Sequence, residues 1–174
     1  YDDWFTSLTR AVETNQITVW FSEKVGDICG CDKCKGKDKF DLEMQVFLHS
    51  LSEARKIRPD MQLCVLLSSA TRPRNVEIIK SAPSDVKFSF YGFTYTLDRQ
   101  PMIYPELREQ VLCDPAKGHR YGCYASLCGW VYYTLPFMGA AYMHERMGEF
   151  VELGVNLIGY VPDSLRAHDN EFNL

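Results

Sequence analysis

Short apolar runs alternate along the chain with longer segments in which apolar residues recur every three or four positions. Trp4, Phe5, Leu8 and Val12 have helical spacing, and Ile17-Thr18-Val19-Trp20-Phe21 is a β-branched and aromatic run that reads as a buried strand. A Gly- and Lys-rich loop follows, from Lys24 to Lys37. Asp38 is then an N-cap for a helix, and Asp41 lies in the first turn, where the helix dipole favours a carboxylate. Met44, Phe47, Leu48, Leu51 and Ala54 fall on one face of that helix, and Pro59 ends it.

The cycle repeats. Leu63-Cys64-Val65-Leu66-Leu67 predicts a second buried strand, and Pro73 to Lys80 a short helix with proline at its start. In Val86 to Tyr91, Val86, Phe88 and Phe90 alternate with Lys87, Ser89 and Tyr91, as in a third strand. Gly92 to Tyr104 is a long loop, and Pro105 opens a helix that ends near Cys113. Tyr121 to Leu127 predicts a fourth strand. Pro136 starts a helix with Phe137, Ala140, Ala141, His144, Met147, Phe150 and Val151 on one side, and Gly154 stands where a C′ glycine belongs. Val155 to Tyr160 predicts the fifth strand.

Strict strand–helix alternation implies parallel strands joined by right-handed crossovers. Continuous apolar strands imply a sheet covered on both faces. Two α/β architectures meet these conditions, an open doubly wound sheet and a barrel. The nucleotide-binding open sheets carry a glycine-rich turn after the first strand. Gly26, Gly30 and Gly36 do not have that spacing. If the fold is a TIM-like parallel (β/α) barrel, it is present as a partial barrel of about five β/α units where a complete one has about eight. The chain begins at Tyr1 and stops at Leu174, so residues 1–174 are expected to be a single domain or fragment of a larger barrel. The missing strands would come from the parent chain or from self-association that covers the open sheet edges.

Composition narrows the function classes. The apolar fraction of 46% is enough for a packed core, and the net charge of −4, with scattered basic residues, argues against nucleic acid as partner. No run approaches the roughly 18 apolar residues of a transmembrane span. Seven cysteines are many for a cytosolic domain of this size and odd in number, so pairing all of them in disulfides would leave one over.

In parallel α/β folds the chemistry sits beyond the C-terminal ends of the strands. That rule selects Ser22, Glu23 and Asp27 after the first strand and Ser68, Ser69, Thr71 and Arg72 after the second. It selects Tyr91, Tyr95, Asp98 and Arg99 after the third, Cys128, Trp130, Tyr132 and Tyr133 after the fourth, and Asp163, Arg166 and His168 after the fifth. Aromatic faces stack on the C–H surfaces of sugar rings, while carboxylates and arginine take the hydroxyls. Glycoside hydrolysis needs two carboxyl groups facing one bond, one giving a proton and the other acting as nucleophile or base. Glu23 is the expected acid, with Asp27 or Asp163 as its partner. Tyr91, Tyr95, Asp98, Arg99, Trp130 and Tyr133 are the expected carbohydrate-binding residues.

Cys29-Gly-Cys31-Asp-Lys-Cys34 places three sulfurs in six residues and can wrap one ion. Structural zinc takes four cysteines, or three and a histidine; a fourth ligand would come from His119, Cys113 or Cys128. A disulfide within the loop and reduced thiols are the alternatives. A metal here would staple the loop; the expected chemistry itself needs no cofactor.

The apolar strand followed by Cys29-x-Cys31-x-x-Cys34 and a long helix resembles a family of uncharacterised barrel domains related to α-glucuronidase-like and hexosaminidase-like glycoside hydrolases. Leu135-Pro136-Phe137, leading through a helix to Leu153-Gly154-Val155 and a strand ending Gly159-Tyr160, is similar to that family's closing barrel segment. The resemblance covers about Ile17 to Asn170. It implies a TIM-like barrel, strands from the later, C-terminal part of that barrel, and a role in polysaccharide breakdown. The family tends to place an Asn-Asp pair between strand and cysteines, where this chain has Ser22-Glu23 and then Asp27. The alternative reading is a non-catalytic barrel that binds carbohydrate, or a zinc-stabilised interaction barrel.

Overall fold

The computed structural model describes residues 15–22, 29–68, 70–91, 105–112, 121–125 and 140–160. Five strands, β1 (Gln16–Trp20), β2 (Gln62–Leu67), β3 (Lys87–Tyr91), β4 (Tyr121–Ala125) and β5 (Asn156–Tyr160), form one sheet in the order β1-β2-β3-β4-β5. Every neighbouring pair is parallel. Between them run α1 (Lys39–Ile57), α2 (Asn75–Ser81), α3 (Pro105–Leu107) and α4 (Ala140–Glu152). A doubly wound sheet reverses its strand order at a switch point. These five strands show no reversal, so the sheet is wound in one direction only.

Local chemistry explains the helix ends. The Asp38 side chain accepts from the backbone N–H of Phe40 at 2.9 Å and of Asp41 at 3.2 Å, which satisfies two of the donors left over at the start of α1. At the end of α4, Gly154 adopts φ +66°, which a β-carbon would disfavour. Val155 N–H then reaches Phe150 O at 2.8 Å and Gly154 N–H reaches Val151 O at 3.1 Å, a Schellman closure that turns the chain directly into β5. The segment expected as a helix from Pro105 keeps α geometry only to Leu107 and continues as a π-helical turn over Arg108–Leu112.

The core lies on one face of the sheet. Ile17, Val19, Leu63, Val65, Leu67, Phe88 and Phe90 pair across the register on that face. They share one apolar cluster with Met44, Phe47, Leu51 and Ala54 of α1, Ile78 and Ile79 of α2, Leu107, Val111 and Phe150. A single cluster drawing on the crossover segments after β1, β2, β3 and β4 is what crossovers of one hand produce. Residues of the opposite face are also buried: Cys64 is 0% and Leu66 6% exposed, as the uninterrupted apolar run of β2 implies. Between Cys123 and Tyr124 the register slips, so that Cys123 pairs with Leu157 and Tyr124 with Gly159; β5 carries one extra residue there, a bulge.

Candidate functional site

The C-terminal ends of β1 and β2 carry an organised rim. At the tip of β1, Ser22 N–H donates to the Glu43 carboxylate at 3.0 Å, and Lys39 Nζ donates to Ser22 O at 2.5 Å. Both partners belong to α1, so the strand end is tied to the helix that follows. At the tip of β2, Thr71 Oγ1 accepts from Ser68 N–H at 3.0 Å and donates to Ser68 O at 3.0 Å; both residues are buried. Ser68 and Thr71 thus close a turn, and their hydroxyls are occupied with backbone. Arg74 joins the two loops. Its guanidinium meets Asp38 at 2.7 Å and Asp41 at 3.4 Å, and pairs with Glu77 on α2. The Asp38 cap and the acidic first turn were legible locally, but a partner 36 positions away carries no sequence signal.

Cys29, Cys31 and Cys34 lie in the β1–α1 loop on this rim. Their sulfurs are all within 4.8 Å of one another, and the group could hold a metal ion. Cys29 and Cys31 are exposed and Cys34 half-buried. A tight turn produces the grouping: Cys34 N–H and Lys35 N–H reach Cys31 O at 3.0 and 2.9 Å, and Lys37 N–H reaches Cys34 O at 3.1 Å. Gly36, at φ +77°, lets the chain leave that turn toward α1. The Cys31 thiol is lowered to about 7, first by the hydrogen bond from Cys29 and then by the backbone N–H groups of Cys34 and Lys33. Cys34 is raised, chiefly because its hydrogen bond to Cys31 favours its protonated form.

Of the residues expected to act on a substrate, Tyr91 closes β3, where its backbone pairs with Tyr124 at the C-terminal edge of the sheet. Glu23, Asp27, Asp163, Tyr95, Asp98, Arg99, Trp130 and Tyr133 lie outside the described residues, as do His119, Cys113 and Cys128. Of the expected site residues, the structure brings the three cysteines together.

A cleft of about 400 Å³ lies at the opposite edge, lined by residues at the starts of β2 and β3, including Arg55, Asp60, Asp85 and Lys87. Arg55 there donates to Met61 O at 2.9 Å and meets Asp85 at 2.7 Å, contacts that join α1 to the β2 and β3 entrances. In parallel α/β folds this edge serves stability.

One more group was missed by sequence reasoning. On the sheet face away from the core cluster, Lys87 Nζ donates to Gln16 Oε1 at 2.8 Å, reaching over β2. Cys64, paired with both Thr18 and Lys87, is raised by burial, an effect that a hydrogen bond with Thr18 and the Lys87 charge partly offset. Ser89 is fully buried on the same face. Alternation in β3 put Lys87 and Ser89 on one face, but only the register reveals their neighbours.

Among the described residues no helix is long and apolar enough to cross a membrane. No family model matches the chain, and no curated protein or solved structure matches it either.

Proposed function

We propose that the chain is part of a (β/α) barrel that binds and hydrolyses carbohydrate at the C-terminal rim of its strands. The observation that supports this most is the sheet itself: parallel strands in unbroken sequential order, with one shared core on one face. Winding of this kind sends all strand tips to the same edge and curls toward closure once further strands are added. The strands that complete it belong to the parent chain or to a second copy. In this reading Glu23 gives its proton to the leaving glycosidic oxygen, and Asp27 or Asp163 acts as nucleophile or base. Tyr91, Tyr95, Trp130 and Tyr133 stack on sugar rings, while Asp98 and Arg99 take hydroxyls. Loss of a general acid lowers kcat about 10²–10⁴-fold. Glu23→Gln in the intact parent protein is accordingly expected to lose turnover across a glycan panel while keeping affinity; turnover that survives the change removes Glu23 from the role.

A second reading is a non-catalytic barrel, binding carbohydrate or another partner and stabilised by zinc. The three-thiol cluster on the rim favours it, because a staple there fixes a loop without taking part in acid–base chemistry. Glycan binding without turnover by the unmodified protein decides for this second reading.

A further inference from the structure

We infer that Cys29, Cys31 and Cys34 bind one thiophilic divalent cation of the zinc class as three thiolates, and that this ion organises the β1–α1 loop. The inference holds for either reading of the mouth, since it concerns the loop and not the sugar chemistry.

Distance is the first argument. Three sulfurs on a tetrahedral zinc ion at about 2.3 Å stand about 3.8 Å apart. The sulfurs here are within 4.8 Å of one another with no backbone rearrangement, so a small rotation of each side chain closes the site. A disulfide would bring two sulfurs to about 2.05 Å and leave the third unused; one ion uses all three.

Backbone design is the second. Cys31 and Cys34 are held by the Cys31–Gly36 turn, whose closure is made by the backbone N–H groups of Cys34 and Lys35 on Cys31 O and so does not depend on the ion. Charge is the third. Three thiolates and one divalent cation leave one net negative charge, and Lys33, Lys35 and Lys37 flank the ligands in the sequence to balance it.

Ligand softness fixes the class of metal. An all-sulfur donor set prefers zinc and its analogues and discriminates against calcium and magnesium, which require oxygen. The fourth donor is water or another side chain. Binding proceeds with loss of the thiol protons to solvent, and no electron is transferred. Ser22 and Lys39 already tie the end of β1 to α1, and the ion would add a second fixed point within the connection between them.

The full chain, reduced and stripped with a chelator, is titrated with Co²⁺. The expected result is one equivalent bound, with thiolate-to-cobalt charge-transfer absorption and the red d–d bands of a tetrahedral ion, all displaced by Zn²⁺. Cys31→Ser and Cys34→Ser, on an exposed turn, are expected to keep native far-ultraviolet circular dichroism and to weaken Zn²⁺ binding by more than about 100-fold, since losing a ligand costs more than losing its supporting shell. Cys34→His, which restores a zinc donor, recovers cobalt binding with shifted bands. The absence of charge-transfer absorption overturns the inference. So does absorption that Cys31→Ser leaves unchanged, or a disulfide among these three sulfurs in freshly purified protein. Glycan turnover is measured on the same samples and reads the mouth separately.

Discussion

The two faces of the sheet are built on different rules. The face toward the helices is uniformly apolar: Ile17 and Val19, then Leu63, Val65 and Leu67, then Phe88 and Phe90, in register across three strands. The other face carries Gln16, Thr18 and Trp20, then Gln62, Cys64 and Leu66, then Lys87 and Ser89. Part of this mixed face is as buried as the core, with Cys64 and Ser89 at 0% exposure. Apolar side chains there would need only shape, whereas polar ones need partners, and the Lys87–Gln16 bond shows one being met along the sheet. The lesson is that burial alone does not mark this protein's stabilising core. The helix-facing side holds the fold together by packing. The other side mixes apolar and polar residues, and the Lys87–Gln16 bond ties β3 to β1 across it.

The comparison is tested hardest by Phe88→Ala. Phe88 is fully buried at the centre of the helix-facing side, paired with Val65 and Tyr121. Its truncation is expected to cost about 3–5 kcal/mol, a large share of the ~5–15 kcal/mol of a typical domain. Urea unfolding should show a lower midpoint with an unchanged slope. A cost below about 1 kcal/mol would mean that the helices are not docked on this face.

Cys64 gives the next effect, through pH. Burial raises its thiol above the ordinary value of 9.0, so the folded state keeps a proton that the unfolded chain releases as pH climbs past 9. Stability from this group is therefore complete below pH 9 and falls above it, by at most about 1.4 kcal/mol per pH unit. Cys64→Ala should remove that slope, and the difference between the two unfolding curves from pH 8 to 10.5 isolates it from other titrations. Parallel curves would show that the mixed face is open to water at β2.

How much of this was legible beforehand depends on range. The Asp38 cap, the proline at Pro105 and the Gly154 closure are local devices, and each was readable from a few neighbouring residues. The order of elements was readable for the same reason. Strand order was not: alternation permits an open doubly wound sheet as well as sequential winding, and only pairing between distant segments separates them. Arg74 shows the same limit, since its carboxylates come from the Asp38–Asp41 turn and from Glu77. For the candidate site, the cysteines were legible because six consecutive residues carry all three sulfurs. A carboxylate pair drawn from different loops needs loop paths that no periodicity encodes.

The Lys87–Gln16 bond predicts a smaller loss. Lys87→Met keeps most of the aliphatic stem and removes the donor, leaving Gln16 Oε1 without it. The expected cost is about 1 kcal/mol, with a coupling of at least ~0.5 kcal/mol in a double-mutant cycle with Gln16→Leu. Additive single costs would show that the two side chains meet without stabilising each other.

Thr18→Val should be the mildest change, and for that reason it discriminates well. Thr18 is exposed on β1, and its hydroxyl shares a hydrogen bond with the Cys64 side chain. Valine is nearly isosteric and favours strands. If the β1 end of the mixed face is open to water, the lost hydroxyl interaction and the gained strand propensity offset each other, and stability stays within about 0.5 kcal/mol of the original. The thiol should respond more than the fold does. That hydrogen bond lowers the Cys64 thiol, so without it the thiol ionises at still higher pH. Its alkylation at pH 9 should then be slower than in the original protein, measured by mass spectrometry after the three exposed or half-buried loop thiols have been blocked. A stability loss above about 1 kcal/mol would place Thr18 in a packed layer and make the two faces alike at β1.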